Sequence, residues 1–193
     1  LDTLFEKGEL PKVPFFVDSP LAINMTRVYG QFSRYFKPEA VQILRDNKGL
    51  FNFPWLTFAP ATEDSKRIND VPAPKIIIAG SGMSQGGRII HHEARYLPDP
   101  KSMILFVGYQ VHGSLGRRIM DGQSPVTVLG QKVSVACQVR SIGAYSAHAD
   151  QNGLVQFISE AAKGGNLKQV FVVQGEESAA QTLARRITAE LDI

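Results

Sequence analysis

One cysteine, Cys137, occurs in 193 residues, so no disulfide can form within the chain and a disulfide-stapled secreted scaffold is excluded. A cytoplasmic setting is expected. No stretch of about 18 consecutive apolar residues is present, which excludes an ordinary membrane-spanning helix. The opening LDTLFEKGELPK has no basic region followed by an apolar one, so it does not read as a secretory leader. It also has no initiator Met, which suits either a cleaved or trimmed end or a fragment that begins inside a longer protein. Internal repeats and low-complexity tracts are absent. Four histidines and one cysteine are too few and too scattered for a recognisable zinc motif. His91 and His92 are neighbours on an expected helix, where successive side chains diverge by about 100°. They do not easily share a metal, and packing or surface roles are expected for both. His112 lies in an expected loop and carries no signal. The net charge is only +3, which permits nucleic-acid binding without requiring it.

What is present is a globular composition, 44% hydrophobic and 20% charged, with its apolar residues in short runs set between helical periods. Buried strands are expected at 13–17, 56–59, 76–78 and 102–109. Helices are expected at 22–36, 39–46, 87–97 and 115–120, with a helical turn capped by Thr62. Strands without polar alternation, alternating with helices, predict an α/β fold with a mostly parallel sheet flanked by helices. The pattern then changes. Residues 126–143 hold two β-type stretches that read as antiparallel, followed by a helix at 151–162, a strand at 169–173 and a helix at 178–191. This change predicts domains at 1–125 and 126–193. Cys137, within VSVACQV, is expected as a small core residue.

Three places hold residues suited to chemistry. The loop SGMSQGGR, 81–88, joins a strand to a helix. Gly82, Gly86 and Gly87 let the backbone approach a ligand, and Ser81, the helix-terminal N–H groups and Arg88 suit an anion such as phosphate. The spacing is neither G-x-G-x-x-G nor a P-loop, so a plain tight turn is the competing role. Asp18 and Ser19 directly follow an apolar strand, at the carboxyl end where open α/β sheets bind ligands. By position alone, capping the next helix is the simpler role for Asp18. His148, in YSAHAD, precedes a helix beside Asp150, a place suited to a general acid or base. A lone histidine is more often structural.

The segments FVDSPLA, GSGMSQGGRIIHHEARYL, LFVGYQVHGSLGRRI and YSAHADQ, in this order, resemble the β-CASP group of metallo-β-lactamase-fold RNA nucleases over almost the whole chain. The resemblance implies a β-CASP domain at 1–125. It implies that 126–193 is the RNA-metabolising segment (RMMBL), an αβ piece of the metallo-β-lactamase fold. Asp18 would be the acidic residue of the family's motif A and His148 the histidine of motif B. The two would meet at the cleft, where the histidine helps protonate the leaving oxygen. Burial beside a carboxylate would favour that protonated form. Ser19, Ser81, Gly82, Gly86, Gly87 and Arg88 would contact the RNA backbone.

Two departures from the family qualify this. The zinc motif H-x-H-x-D-H is not in the chain and belongs to an N-terminal lactamase region that would precede Leu1. The resemblance therefore implies zinc in the parent enzyme, none held by this chain alone, and no hydrolysis by the isolated chain. Where the family has V-H-G-E, the chain has VVQGEE, which puts Gln174 at a zinc-ligand position. An amide carbonyl is a poorer zinc ligand than imidazole. The expected function is the RNA cleft and acid–base residues of a zinc-dependent RNA-processing nuclease. The alternative is a non-catalytic RNA-binding or scaffold homologue, and a mononucleotide-binding α/β protein is a weaker third. Expected partners are RNA and the missing lactamase region, without a membrane. An isolated chain whose 126–193 face lacks its cover is expected to self-associate as a homodimer.

Overall fold

The run Phe15–Asp18 forms strand β1, which lies between β2 (Leu56–Phe58) and β3 (Ile76–Ala79) in a parallel sheet of order β2-β1-β3. The register sets Phe15 opposite Leu56 and Ile76, and Asp18 opposite Ala79. β1 is apolar without alternation because both faces are covered: Phe15 and Phe16 are both buried. Helix α1 (Pro20–Gln31) follows at once. Ser19 caps it by accepting from the Ala22 N–H at 3.3 Å, and Pro20 occupies the first turn, where an N–H has no helical acceptor. A 3-10 turn (Ser33–Tyr35) and α2 (Pro38–Asp46) precede β2; α3 (Thr62–Arg67) and a second 3-10 turn (Ile68–Asp70) precede β3. The computed structural model describes residues 4, 7–9, 11–46, 55–146 and 148–191.

After β3 the chain turns into α4 (Ile89–Tyr96), then runs through β4 (Met103–Phe106) and α5 (Leu115–Met120). Strands β5 (Val126–Val128) and β6 (Gln131–Val133) form an antiparallel hairpin across Leu129 and Gly130, whose φ values are 50° and 77°. Two turn residues at positive φ give the twist that a two-residue hairpin needs. β7 (Gln138–Ser141) returns to pair in parallel with β4, Met103 opposite Gln138. The antiparallel expectation for 126–143 thus holds for β5 and β6 but not for β7. The main core joins Leu97, Phe106, Leu115, Ile119, Val126, Val128 and Val133, and Cys137 packs against it. Burial pushes the Cys137 thiol pKa up, which disfavours the thiolate form. A second cluster joins Phe16, Ala59 and Ile68 beneath the first sheet.

Helix α5 has a local start signal. Ser114, almost fully buried, accepts from the Arg117 N–H at 3.1 Å. Ser114→Ala is expected to destabilise the chain by about 1 kcal/mol, read as a lower urea midpoint at unchanged slope. An unshifted midpoint would show that the cap contributes nothing.

The chain divides into two compact units, Leu1–Ser141 and Ile142–Ile193. The first is α/β, with parallel strands flanked by helices. The division follows Ser141 because β7 pairs back onto β4; the change of sequence pattern near 125 is a separate feature. In the second unit α6 (Gln151–Ala162) is capped by Asp150, which accepts from the Gly153 N–H at 2.8 Å. Arg186, on α7 (Glu177–Leu191), donates to Asn152 at 2.8 Å and Gln151 at 3.2 Å, and Val155 and Ile187 are buried. The strand expected at 169–173 does not form: Phe171 and Val173 are 76% and 74% exposed. A strand needs a neighbour for its N–H and C=O groups, and the described residues of this unit contain no other strand. Among the described residues no helix is long and apolar enough to cross a membrane.

Candidate functional site

Asp18 ends β1 fully buried. Its carboxylate accepts from Ser65 Oγ of α3 at 2.6 Å, from Arg88 Nη1 at 2.5 Å and from His92 Nε2 at 2.7 Å. An ionised carboxylate only accepts, so the His92 ring carries its proton on Nε2. Arg88 and His92 stand four residues apart at the start of α4 and so share a face. Arg88 also donates to the carbonyls of Ala59 and Pro60. One carboxylate thereby ties together β1, α3, the 59–60 segment and α4. Burial alone would raise the Asp18 pKa. The hydrogen bonds from Ser65, His92 and Arg88, with the Arg88 charge, outweigh it and hold the carboxyl below its ordinary value.

This network supports the Gly-rich loop. Gly80 accepts from the Ile89 N–H at 3.0 Å, and the Ser81 N–H donates to Gly86 O at 3.2 Å, closing the loop on itself. Gly87 has φ of 71°, and a Cβ there would lie 2.5 Å from the Gly80 carbonyl oxygen, so no other residue fits. A Cβ on Gly82 or Gly86 would meet nothing within 4 Å, which leaves the backbone there open to a ligand. A Cβ on Gly80 would sit 3.6 Å from Ser19 Oγ, so Ser19 adjoins the loop's entry. Ser19, Ser81, Gly82, Gly86, Gly87 and Arg88 therefore gather at the carboxyl ends of β1 and β3. The Arg88 guanidinium is turned inward, with 17% of its side chain exposed.

Behind the loop, Ser84, with φ of 57°, donates its hydroxyl to Glu93. Glu93 is 3% exposed, and burial pushes its pKa up from 4.5 to about 7, with the Ser84 hydrogen bond pulling the other way. Between those values the folded chain keeps a proton that the unfolded chain has released. Stability should therefore fall as pH rises through this window, by about 3 kcal/mol in total. Glu93→Gln has no proton to lose and should flatten that slope in urea melts taken at about pH 5 and about pH 8. A variant that keeps the parental pH slope would remove Glu93 as its source.

The second unit carries the other residues singled out from sequence. His148 is exposed; its Nδ1 lies 3.3 Å from Ser146 Oγ, which also accepts from the His148 N–H. Asp150 is engaged in capping α6. Gln174 is exposed with φ of 60°, a left-handed turn before Gly175. Among the described residues no group of three or more His, Cys, Asp or Glu side chains is placed to hold a metal ion. His91 and His112 are exposed, whereas His92 is buried in the Asp18 network. Sequence reasoning missed His92, Ser65 and Glu93 as parts of the site. The spacing of Arg88 and His92 was the available signal.

Comparison with known proteins gives two family matches. Residues 1–119 match the Beta-Casp domain, and residues 132–193 match the Zn-dependent metallo-hydrolase RNA specificity domain. A ribonuclease of Thermus thermophilus is 35% identical over 186 residues, covering 96% of this chain and 42% of its own length. Transcription termination factor FttA of Cenarchaeum symbiosum is 29% identical, covering 95% of this chain and 29% of its own length. An RNase J-like protein of Methanocaldococcus jannaschii is 28% identical over all of this chain and 43% of its own length. The chain thus spans less than half the length of these relatives.

Proposed function

The chain belongs to the β-CASP family, and from that premise we propose that it is the β-CASP and RNA-specificity portion of an RNA-processing nuclease of the metallo-β-lactamase superfamily. The observation that carries this reading is the open, Gly-rich loop at the carboxyl ends of β1 and β3, held by the Asp18 network. Open glycines and loop N–H groups suit a phosphodiester backbone, which such contacts position without reading sequence. We assign 1–125 to the cleft-forming domain and 126–193 to the segment bearing His148. In this reading His148 gives a proton to the leaving oxygen. Asp18 acts at the cleft through what it holds: its oxygens already accept from Ser65, Arg88 and His92, so it fixes the loop's position. The zinc that activates water in such enzymes would be held with ligands from the lactamase region, which the resemblance places before Leu1.

The test is RNA cleavage by the full-length protein. Cleavage should require zinc, stop on chelation and return on zinc addition. A second reading, a non-catalytic RNA-binding or scaffold protein, rests on Gln174 at a zinc-ligand position. It expects RNA binding that weakens steeply with salt, as phosphate contacts release counterions, and no metal-dependent turnover. A full-length preparation that binds RNA but never cleaves it would replace the first reading with the second.

A further inference from the structure

Helix α1 carries most of its large apolar side chains on the outside. One of its 12 residues, Ile23, is buried, whereas Leu21, Met25, Val28 and Tyr29, with Phe32 at its end, are exposed. Helical periodicity puts these five on one face. The apolar surface continues into the 3-10 turn, where Tyr35 is 73% exposed. The rings adjoin one another. Tyr29 and Phe36 have centroids 6.1 Å apart, and Phe32 and Tyr35 6.3 Å. The Arg34 guanidinium lies over the Tyr35 ring, 4.9 Å from its centroid. Scattered exposed apolar residues are ordinary, but a contiguous set marks an interaction surface.

Charge selects the occupant. Residues 19–38 contain Arg27, Arg34 and Lys37, all exposed, and no Asp or Glu. A second copy of the chain would set these like charges against one another. Aromatic rings interleaved with cations suit single-stranded nucleic acid instead: bases stack on the rings and phosphates meet the cations. Position points the same way. Helix α1 starts after Ser19, which adjoins the entry of the Gly-rich loop, and extends for about 18 Å. We propose that Tyr29, Phe32 and Tyr35 form a stacking platform for unpaired bases of an RNA strand whose backbone lies over the Gly-rich loop, with Arg27, Arg34 and Lys37 meeting its phosphates. The proposal rests on the reading of that loop as an RNA contact and deepens it. A base stacked on a side chain has left its own duplex, so the platform requires the RNA to be single-stranded beyond the loop.

The test is fluorescence anisotropy of the full-length protein with a phosphorothioate-linked oligouridylate of about 12 nucleotides, a length that one such surface can occupy. Phe32→Ala combined with Tyr35→Ala should weaken binding by about 10²-fold, two stacked bases at about 10-fold each. Tyr35→Phe keeps a ring and should bind like the parent. An abasic strand and a duplex of the same length offer no free base, so each should bind the parent and the double variant equally. Arg27→Gln combined with Lys37→Gln should flatten the salt dependence of strand binding. Urea midpoints identify a variant that has lost its fold. In that event the parent decides: a strand carrying 5-iodouridine, photocrosslinked to it, should mark residues 28–37. Parental affinity in the folded double variant, an equal loss for the abasic strand, or crosslinks confined to other residues would overturn the proposal. So would a double variant that breaks a dimer of the parent in sedimentation and keeps parental RNA affinity, since the strip would then be a self-association face. The two readings fail separately. Ring-dependent binding of single strands without cleavage leaves the platform standing and removes the nuclease, whereas zinc-dependent cleavage with ring-independent binding does the reverse.

Discussion

Asp18→Ala is expected to destabilise the first unit by about 3–5 kcal/mol, because it removes one partner of a buried ion pair and leaves the Arg88 charge uncompensated. The loss is wider than one pair. Ser65 and His92 each lose the acceptor they hold at 2.6 and 2.7 Å, and the four segments joined by this carboxylate come apart at one point. Urea unfolding measures it. Asp18→Asn keeps the shape and one acceptor oxygen, so its loss should be smaller. The depressed Asp18 pKa adds an acid limb: its contribution is present above the ordinary carboxylate range and fades as pH falls through the folded value. An Asp18→Ala chain that melts within about 1 kcal/mol of the parent would show that the network is incidental.

His148→Ala should have the opposite profile. His148 is exposed and, among the described residues, its side chain meets Ser146 Oγ at 3.3 Å, so the melt should be unchanged. RNA cleavage by the full-length protein should fall by about 10²–10⁴-fold, the usual contribution of a positioned general acid. The pair of variants separates architecture from chemistry. Asp18→Ala should lower stability and RNA affinity together, whereas His148→Ala should lower turnover while the RNA still binds. Parental turnover by His148→Ala would remove the proton-donor role.

Much of this molecule is written locally. Helices Leu115–Met120 and Gln151–Ala162 begin and end where the sequence predicts. Each starts at a capping side chain, Ser114 or Asp150, and a cap is a contact within one turn. The parallel character of the first sheet follows from apolar strands alternating with helices, and the place of the Gly-rich loop follows from its glycines between strand and helix. Gly87 is required by a backbone approach of local origin, to Gly80 seven positions earlier.

What the sequence left open depends on contacts between distant residues. Asp18 meets His92 across 74 positions and Ser65 across 47, and no spacing rule joins them. Position alone made Asp18 a cap; the fold gives the cap to Ser19 and buries Asp18 among three donors. Arg88 looked like a free cation for phosphate, and tertiary packing turned it onto Asp18. Residues 169–173 have strand composition, yet strand formation is a property of two chains side by side, and the described part of their unit offers no second one. The burial that raises the Glu93 pKa and leaves its second oxygen unpaired likewise arises only once loop, helix and strand close around it. The sequence by itself determined the α/β class and the starts of the capped helices Leu115–Met120 and Gln151–Ala162, because those depend on neighbours within a turn or two; Thr62, expected as a cap, is instead the first residue of its helix, after Ala61. The tertiary structure alone decided which residues share a carboxylate and which polar groups are buried, because burial and long-range pairing exist only in the folded chain.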